Sequence, residues 1–331
     1  MSVKGRGCVV AIVVVVVVLF AGGAATFLLL RSKDVDPGWV PCGVGDREVR
    51  AIAVDDQGSI YVAANDVARG DVFRSDDQCA SFGPLGLTSE VLWSVDWLPR
   101  ARAVCAGSRE GMRCVVGGAT QTNVVSAEIY FARETPAGVV AGGFPALWFG
   151  KMDLSSFSAI LSPGRATTDA VHTDWATLVA GPGLLASLDG GATFAPVPTA
   201  AFAPRALAAS GARVYAGGGS FGGFLFRSDD GGQTWTEVEM PGSQPETIVV
   251  PPGRQEVVLL GTHGDVRPGD AYLSIDGART WRPLGCPGSE VHALAIDERF
   301  LYCGATSLSG TRGMWRLPLG ALGLGRLGEA I

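Results

Sequence analysis

Hydrophobic positions along the chain fall into two patterns. The first is one uninterrupted run at 8–30, 23 residues without a charge, long enough to cross a hydrocarbon core of about 30 Å as a helix. The second is a set of short apolar stretches ending in small residues: Tyr61-Val-Ala-Ala64, Val104-Cys-Ala-Gly107, Val139-Val-Ala-Gly142, Leu178-Val-Ala-Gly181, Val214-Tyr-Ala-Gly217, Val258-Leu-Leu-Gly261 and Leu301-Tyr-Cys-Gly304. Such runs, bounded by turn residues, read as buried strands and are too short for helices. Their last residues lie 43, 35, 39, 36, 44 and 43 apart. A period near 40 residues matches a four-stranded propeller blade. Seven periods fill the 298 residues of 34–331. The expected fold is therefore all-β: a single seven-bladed β-propeller of four-stranded blades, preceded by one N-terminal transmembrane helix.

A polar element recurs downstream of these strands. Ser187-Leu-Asp-Gly-Gly-Ala-Thr-Phe194, Ser228-Asp-Asp-Gly-Gly-Gln-Thr-Trp235 and Ser274-Ile-Asp-Gly-Ala-Arg-Thr-Trp281 share one pattern, and Ser75-Asp-Asp-Gln-Cys-Ala-Ser-Phe82 keeps the serine, the acid and the aromatic. Segments 114–121 and 151–157 are decayed copies in register. The residue types suit a hairpin turn. Asp77, Asp189, Asp230 and Asp276 can accept backbone N–H bonds, and Gly191 and Gly232 supply positive φ without a Cβ clash. The hydroxyls of Ser75, Ser187, Thr193, Ser228, Thr234, Ser274 and Thr280 can satisfy further turn groups. Trp235 and Trp281 would open the next strand and bury their rings. These segments resemble the Asp-box, or BNR, repeat, and are similar to those of photosystem II stability/assembly factor-like and sortilin-type propellers. The resemblance covers the repeats and implies a scaffold in which the aspartates are structural.

The two ends of the repeat region match each other. Segment 39–54 runs parallel to 281–296, so residues 38–43 read as the outermost strand of the last blade, closing the ring and protecting an edge. A chain entering there enters at the face that carries the Asp-box turns. About seven residues separate that point from the apolar run, a reach of about 25 Å. The expected arrangement turns the Asp-box face toward the bilayer and the opposite face outward. Lys4 and Arg6 precede the run and Arg31 and Lys33 follow it, a slight bias for a cytoplasmic N-terminus and a propeller on the periplasmic or extracellular side. The length of the run favours an uncleaved signal-anchor (1–33, span 8–30) over a cleavable signal peptide.

Charge and composition then narrow the function. The formal charge is −6, and it is −10 once 1–33 are set aside, which argues against nucleic acid and against electrostatic attachment to anionic lipid. Six cysteines lie beyond the apolar run, enough for three disulfides in an exported domain. Cys105 and Cys114 could face each other across a hairpin as a disulfide, and small buried thiols on strands are the alternative for several of the six. No Cys-x-x-Cys occurs and the histidines are scattered, so neither a metal nor a cofactor is expected.

The loops between second and third strands vary most, and Arg69, Arg109, Trp148, Phe221, His263 and Arg267 are the residue types expected in a binding patch there. Asp-box propellers include sialidases, whose Arg-Ile-Pro segment is absent; Tyr61, Tyr215 and Tyr302 share one strand position and do not read as nucleophiles. The expected function is a non-catalytic, membrane-anchored extracytoplasmic scaffold for a protein, peptide or glycan. A glycoside hydrolase with an unrecognised site, and a structural envelope protein without a discrete ligand, are the alternatives.

Overall fold

Strands whose two faces are both covered need no polar alternation, and that explains the continuous apolar runs: Ile60–Asn65 and Ala103–Ser108 are buried at every position. The structure is a computed structural model and describes residues 38–325 apart from 163, 220–221, 265–268 and 308. The apolar run at 8–30 lies outside the described residues. Among those described, no helix is long and apolar enough to cross a membrane.

Seven four-stranded antiparallel sheets follow one another as blades. Strand β1 (Val40–Pro41) comes first. Blade 1 is then β2–β5 (Glu48–Val54, Ile60–Asn65, Gly70–Ser75, Gly83–Pro84) and blade 2 is β6–β9 (Leu92–Leu98, Ala103–Ser108, Met112–Val116, Ala119–Val125). Blade 3 is β10–β13 (Glu128–Thr135, Gly138–Phe144, Leu147–Gly150, Phe157–Leu161) and blade 4 is β14–β17 (Asp169–His172, Thr177–Ala180, Leu184–Ser187, Ala195–Pro196). Blade 5 is β18–β21 (Pro204–Ser210, Arg213–Gly218, Phe224–Ser228, Thr236–Val238) and blade 6 is β22–β25 (Gln244–Val249, Val258–His263, Ala271–Ser274, Arg282–Pro283). Blade 7 has β26–β28 (Glu290–Ile296, Phe300–Thr306, Arg312–Pro318) and takes β1 as its outermost strand, with Val40 opposite Arg316 and Pro41 opposite Trp315.

The cores lie between blades. One cluster joins Val49, Ile60 and Val62 of blade 1 to Ala293, Ala295, Tyr302 and Met314 of blade 7. A Cβ on Gly304, the small residue that ends the apolar run of β27, would stand 2.4 Å from Val49 Cγ1 of the neighbouring blade. The recurrent Ala-Gly ending is thus a site of close approach between sheets, which only glycine permits here.

The disulfides are Cys42–Cys79, Cys105–Cys114 and Cys286–Cys303. The second crosses the β7–β8 pair, where the two residues stand directly opposite. The first fastens the end of β1 to the β4–β5 turn of blade 1, beside a Gly43 N–H donated to Cys79 O at 3.0 Å.

Four of the third-to-fourth-strand turns share one hydrogen-bond set. The serine hydroxyls of Ser75, Ser187, Ser228 and Ser274 donate to the aspartate Oδ1 two residues on at 2.7–2.8 Å. Each serine Oγ accepts from the N–H four residues ahead, at 2.7–2.9 Å. Each aspartate then takes the N–H (2.9 Å) and hydroxyl (2.6 Å) of Ser81, Thr193, Thr234 or Thr280. The fifth residue of the turn must be left-handed: Gly232 has φ 109°, and Cys79 and Ala278 adopt φ 69° and 67° at the same place. Trp235 and Trp281 donate their indole N–H groups to Gly232 O and Glu239 O, both at 2.9 Å. Segment 114–121 has a different turn, a two-residue Gly117-Gly118 hairpin that sets Val116 opposite Ala119.

These bonds favour the charged carboxylate. Asp77 is lowered to about 2 by Ser81 and Ser75, and Asp189 and Asp276 lie lower still, through Thr193 and Thr280 above all. For Asp230 burial pushes upward, but the bonds from Thr234 and Ser228 win and hold it at about 2. Because the folded-state values lie below the unfolded value near 3.9, the stability they contribute is complete above pH ~4 and is lost as pH falls toward 2. A variant carrying Asp77→Asn, Asp189→Asn, Asp230→Asn and Asp276→Asn should melt lower at pH 7 and change less between pH 4 and 2.5. An unchanged slope in that interval, read by circular dichroism, would show that the turns do not carry the acid response.

Candidate functional site

Alternate antiparallel connections put two sets of loops at opposite ends of the blades. The first-to-second and third-to-fourth-strand turns share one end, with the Ser-x-Asp turns; the second-to-third-strand loops and the inter-blade links share the other. At the second end the innermost strands carry a recurrent irregularity. Their pairing register slips by one residue in six blades, at Arg50, Trp93, Tyr130, Arg205, Glu246 and His292. In blade 4, Thr168 holds the corresponding place, its N–H donated to Ala180 O at 3.0 Å. A bulge leaves its extra residue unpaired and re-aims the side chain. All seven residues line one cavity of about 780 Å³, together with Arg165, Pro182, Ala203, Gly219 and Phe224.

The cavity wall is built from ordered contacts. Arg50 pairs with Glu48 at 2.5 Å and sets its guanidinium 5.7 Å from the Trp93 ring. Trp93 meets Tyr130 at 5.8 Å with the planes tilted 42°. Burial first, then a hydrogen bond to Glu128, pushes the Tyr130 phenol up to about 12, so it stays a neutral donor. Thr168 donates its hydroxyl to Arg205 O at 2.8 Å, and the Arg205 guanidinium lies 4.0 Å from Glu246.

His292 is lowered to about 4 by burial, with the charges of Arg50 and His263 adding to it, and is neutral at pH 7. Its Nε2 lies 2.9 Å from Thr306 Oγ1, whose single proton goes to Glu290 Oε2 at 3.1 Å. His292 Nε2–H must therefore be the donor, which leaves Nδ1 as an acceptor.

Deeper along the innermost strands, Arg133 of β10 pairs with Asp96 of β6 and reaches Asp169 of β14 at 3.1 Å. Asp96 Oδ2 accepts the Ala132 N–H and Asp169 Oδ2 the Leu207 N–H, each at 2.9 Å. One cation thus ties blades 2, 3 and 4, and Asp169 extends the tie to blade 5. No group of three His, Cys, Asp or Glu side chains among the described residues could hold a metal ion.

Of the six residues singled out in the sequence, the four that are described do not line this cavity. Arg69 is exposed on the β3–β4 loop and donates to Thr88 Oγ1 at 3.2 Å; Arg109 is exposed on the β7–β8 loop. His263, at the end of β23, lies closest: its ring is 6.4 Å from that of His292 and its Nε2 is 3.7 Å from Glu290. Trp148 corrects the sequence reading. It belongs to strand β12 and packs against the cluster between blades 2 and 3, because the loop preceding it is only two residues long. Phe221 and Arg267 lie outside the described residues. Tyr61 and Tyr302 direct their hydroxyls to Asp55 and Asp297 in first-to-second-strand turns, at the other end of the blades.

The seven cavity residues carried a positional signal. Each precedes the small residue that ends its blade's second apolar run by 12 to 15 positions, and the match of 39–54 with 281–296 already sets Arg50 against His292. Their chemical diversity hides the repeat.

No family model matches the sequence, and comparison with curated proteins finds no significant match. Solved structures are similar in fold. The chain superposes on the extracellular domain of a one-component system from B. thetaiotaomicron with a TM-score of 0.64 at 12% identity, covering 84% of this chain and 40% of that one. It therefore spans well under half the length of that domain. Virginiamycin B lyase from Staphylococcus aureus gives 0.63 at 12% identity over 85% of this chain and 98% of the lyase. YCF48 from Cyanidioschyzon merolae gives 0.61 at 12% identity over 84% and 97%. At such identities the likeness establishes the fold, a seven-bladed β-propeller of four-stranded blades, and nothing finer.

Proposed function

We propose that the protein is a membrane-anchored, extracytoplasmic propeller of the Asp-box type that binds a protein, peptide or glycan partner at the mouth of its central channel, without catalysing a reaction. The observation that carries this reading is the convergence of six bulged inner-strand residues and Thr168 on one cavity of about 780 Å³, within the range of ligand-binding clefts. The four matching Ser-x-Asp turns support the repeat assignment. The apolar run at 8–30 supports the anchor. A similar propeller described as an extracellular domain is consistent with a place outside the cytoplasm. Glu246 is the single carboxylate among the described cavity residues, whereas glycoside hydrolysis ordinarily needs a pair; this favours binding over cleavage.

The test is site-specific photo-crosslinking in intact cells, since Lys151 is the sole lysine after residue 33 and amine-directed reagents would find little. A photo-reactive residue at Ala203, on the cavity rim, should capture a reproducible partner. The same residue at exposed Ala192, in a Ser-x-Asp turn, should not. Capture from Ala192 alone, or from neither position, removes the proposal.

A further inference from the structure

We infer that the channel mouth recognises a short acidic peptide segment by seating one carboxylate among the N–H donors of Arg50 and Trp93, with Arg165 and Arg205 on the outer rim. This rests on the reading that the mouth is a binding site and adds the class of its ligand.

Three observations select that class. The first is an imbalance of donors. Arg50 Nε and Trp93 Nε1 are buried and have no hydrogen-bond partner among the described residues. A buried donor left unmade is costly, and a charged acceptor is its strongest remedy. Arg50 spends its Nη2 on Glu48, and its Nε, like Trp93 Nε1, is covered by neighbouring side chains, so a carboxylate reaches the two donors by displacing that cover. Arg165 is exposed and has no ion pair or hydrogen bond among the described residues, and Arg205 has only the 4.0 Å contact with Glu246.

The second observation is the size of the charge. The described cavity residues include Arg50, Arg165 and Arg205 against Glu246, with His292 neutral; Glu48 offsets Arg50 and Glu246 offsets Arg205, which leaves Arg165 as the excess cation. The 298 residues of 34–331 nevertheless carry a net charge of −10. An extended polyanion would meet that acidic surface wherever it left the mouth. One or two carboxylates feel the local cations without that opposition.

The third is the aromatic wall. Trp93 is covered on one side by Arg50 and abuts Tyr130 at a tilt, which closes that face of the indole to a stacking sugar. Glu246 is an acceptor on the same wall, and a peptide backbone offers it an N–H group beside a side-chain carboxylate. A peptide therefore uses both halves of the wall.

The full chain in mild detergent should be titrated by fluorescence anisotropy with a labelled pool of hexapeptides, each containing one glutamate and a free carboxyl terminus. The matched pool has glutamine and a terminal amide. The acidic pool should bind at least about tenfold more tightly, the scale of one charge-assisted hydrogen bond. Trp93→Phe, which keeps the ring and removes the N–H, should weaken it several-fold. Arg165→Glu with Arg205→Glu, both exposed positions, should abolish binding without moving the melting temperature. Equal binding of the two pools, tighter binding of trigalacturonate, or binding unaffected by the double charge reversal overturns the acidic-peptide assignment. If photo-capture from Ala203 persists in that case, the mouth remains a binding site for another ligand; if both fail, both readings fall.

Discussion

Deletion of residues 38–43 should lower the melting temperature of the protein by at least about 10 °C. The segment is short, yet several contacts converge on it. Val40 and Pro41 complete the last blade, and the Cys42 N–H donates to Met314 O at 2.8 Å. Trp39 is 7% exposed and donates its indole N–H to Leu284 O at 2.8 Å. Removing a buried tryptophan costs about 3–5 kcal/mol. Removing the Cys42–Cys79 bridge, which closes 37 residues, costs about 4 kcal/mol by loop entropy. The two losses are coupled through one strand and will not add fully. At roughly 2–4 °C per kcal/mol for a domain of this size class, either loss alone gives a shift that near-ultraviolet circular dichroism resolves. The double substitution Cys42→Ser, Cys79→Ser should produce about half the effect of the deletion. A deletion variant that melts with the parent would mean that β1 does not hold the ring closed.

Arg133→Met should destabilise the propeller by about 1–3 kcal/mol at pH 7, less than the scale for a fully buried ion pair because the Arg133 side chain is 39% exposed and solvent screens part of the loss. The substitution keeps the aliphatic stem but strips the cation between Asp96 and Asp169, which are only 6% and 18% exposed. Burial already raises the Asp169 carboxyl, with Arg133 pulling the other way, so in the variant it rises further. The folded state then binds more protons than the unfolded one as pH passes the unfolded value near 3.9, and stability falls with rising pH. The deficit should accordingly shrink between pH 7 and pH 4. Adding Asp96→Asn and Asp169→Asn should recover part of it at pH 7. Denaturant titrations at the two pH values decide the matter: an equal deficit at both would assign the loss to packing.

The blade number was legible because the signal is local: apolar runs such as 214–217 and turns such as 228–235 are made by residues in sequence contact, and they recur every 40 residues or so. The Cys105–Cys114 bridge was legible for the same reason, since a hairpin sets its two ends opposite one another. The variable loops carry Arg69 and Arg109, both exposed. Six of the cavity residues, however, sit at bulges within the innermost strands.

The sequence by itself determined the repeated unit: which residues turn, which are buried between sheets, and how many copies the chain holds. Tertiary structure alone decided what those copies share at their common axis. Arg50 and His292 are 242 positions apart and lie in neighbouring blades only because the ring closes, and each points into the cavity because a one-residue slip turns it out of the ladder. Cys42 and Cys79 pair for the first of these reasons: an N-terminal strand borrowed by the last blade carries one of them to the seam with the first. Local contacts write themselves into neighbouring residues, whereas closure and register are properties of the whole ring.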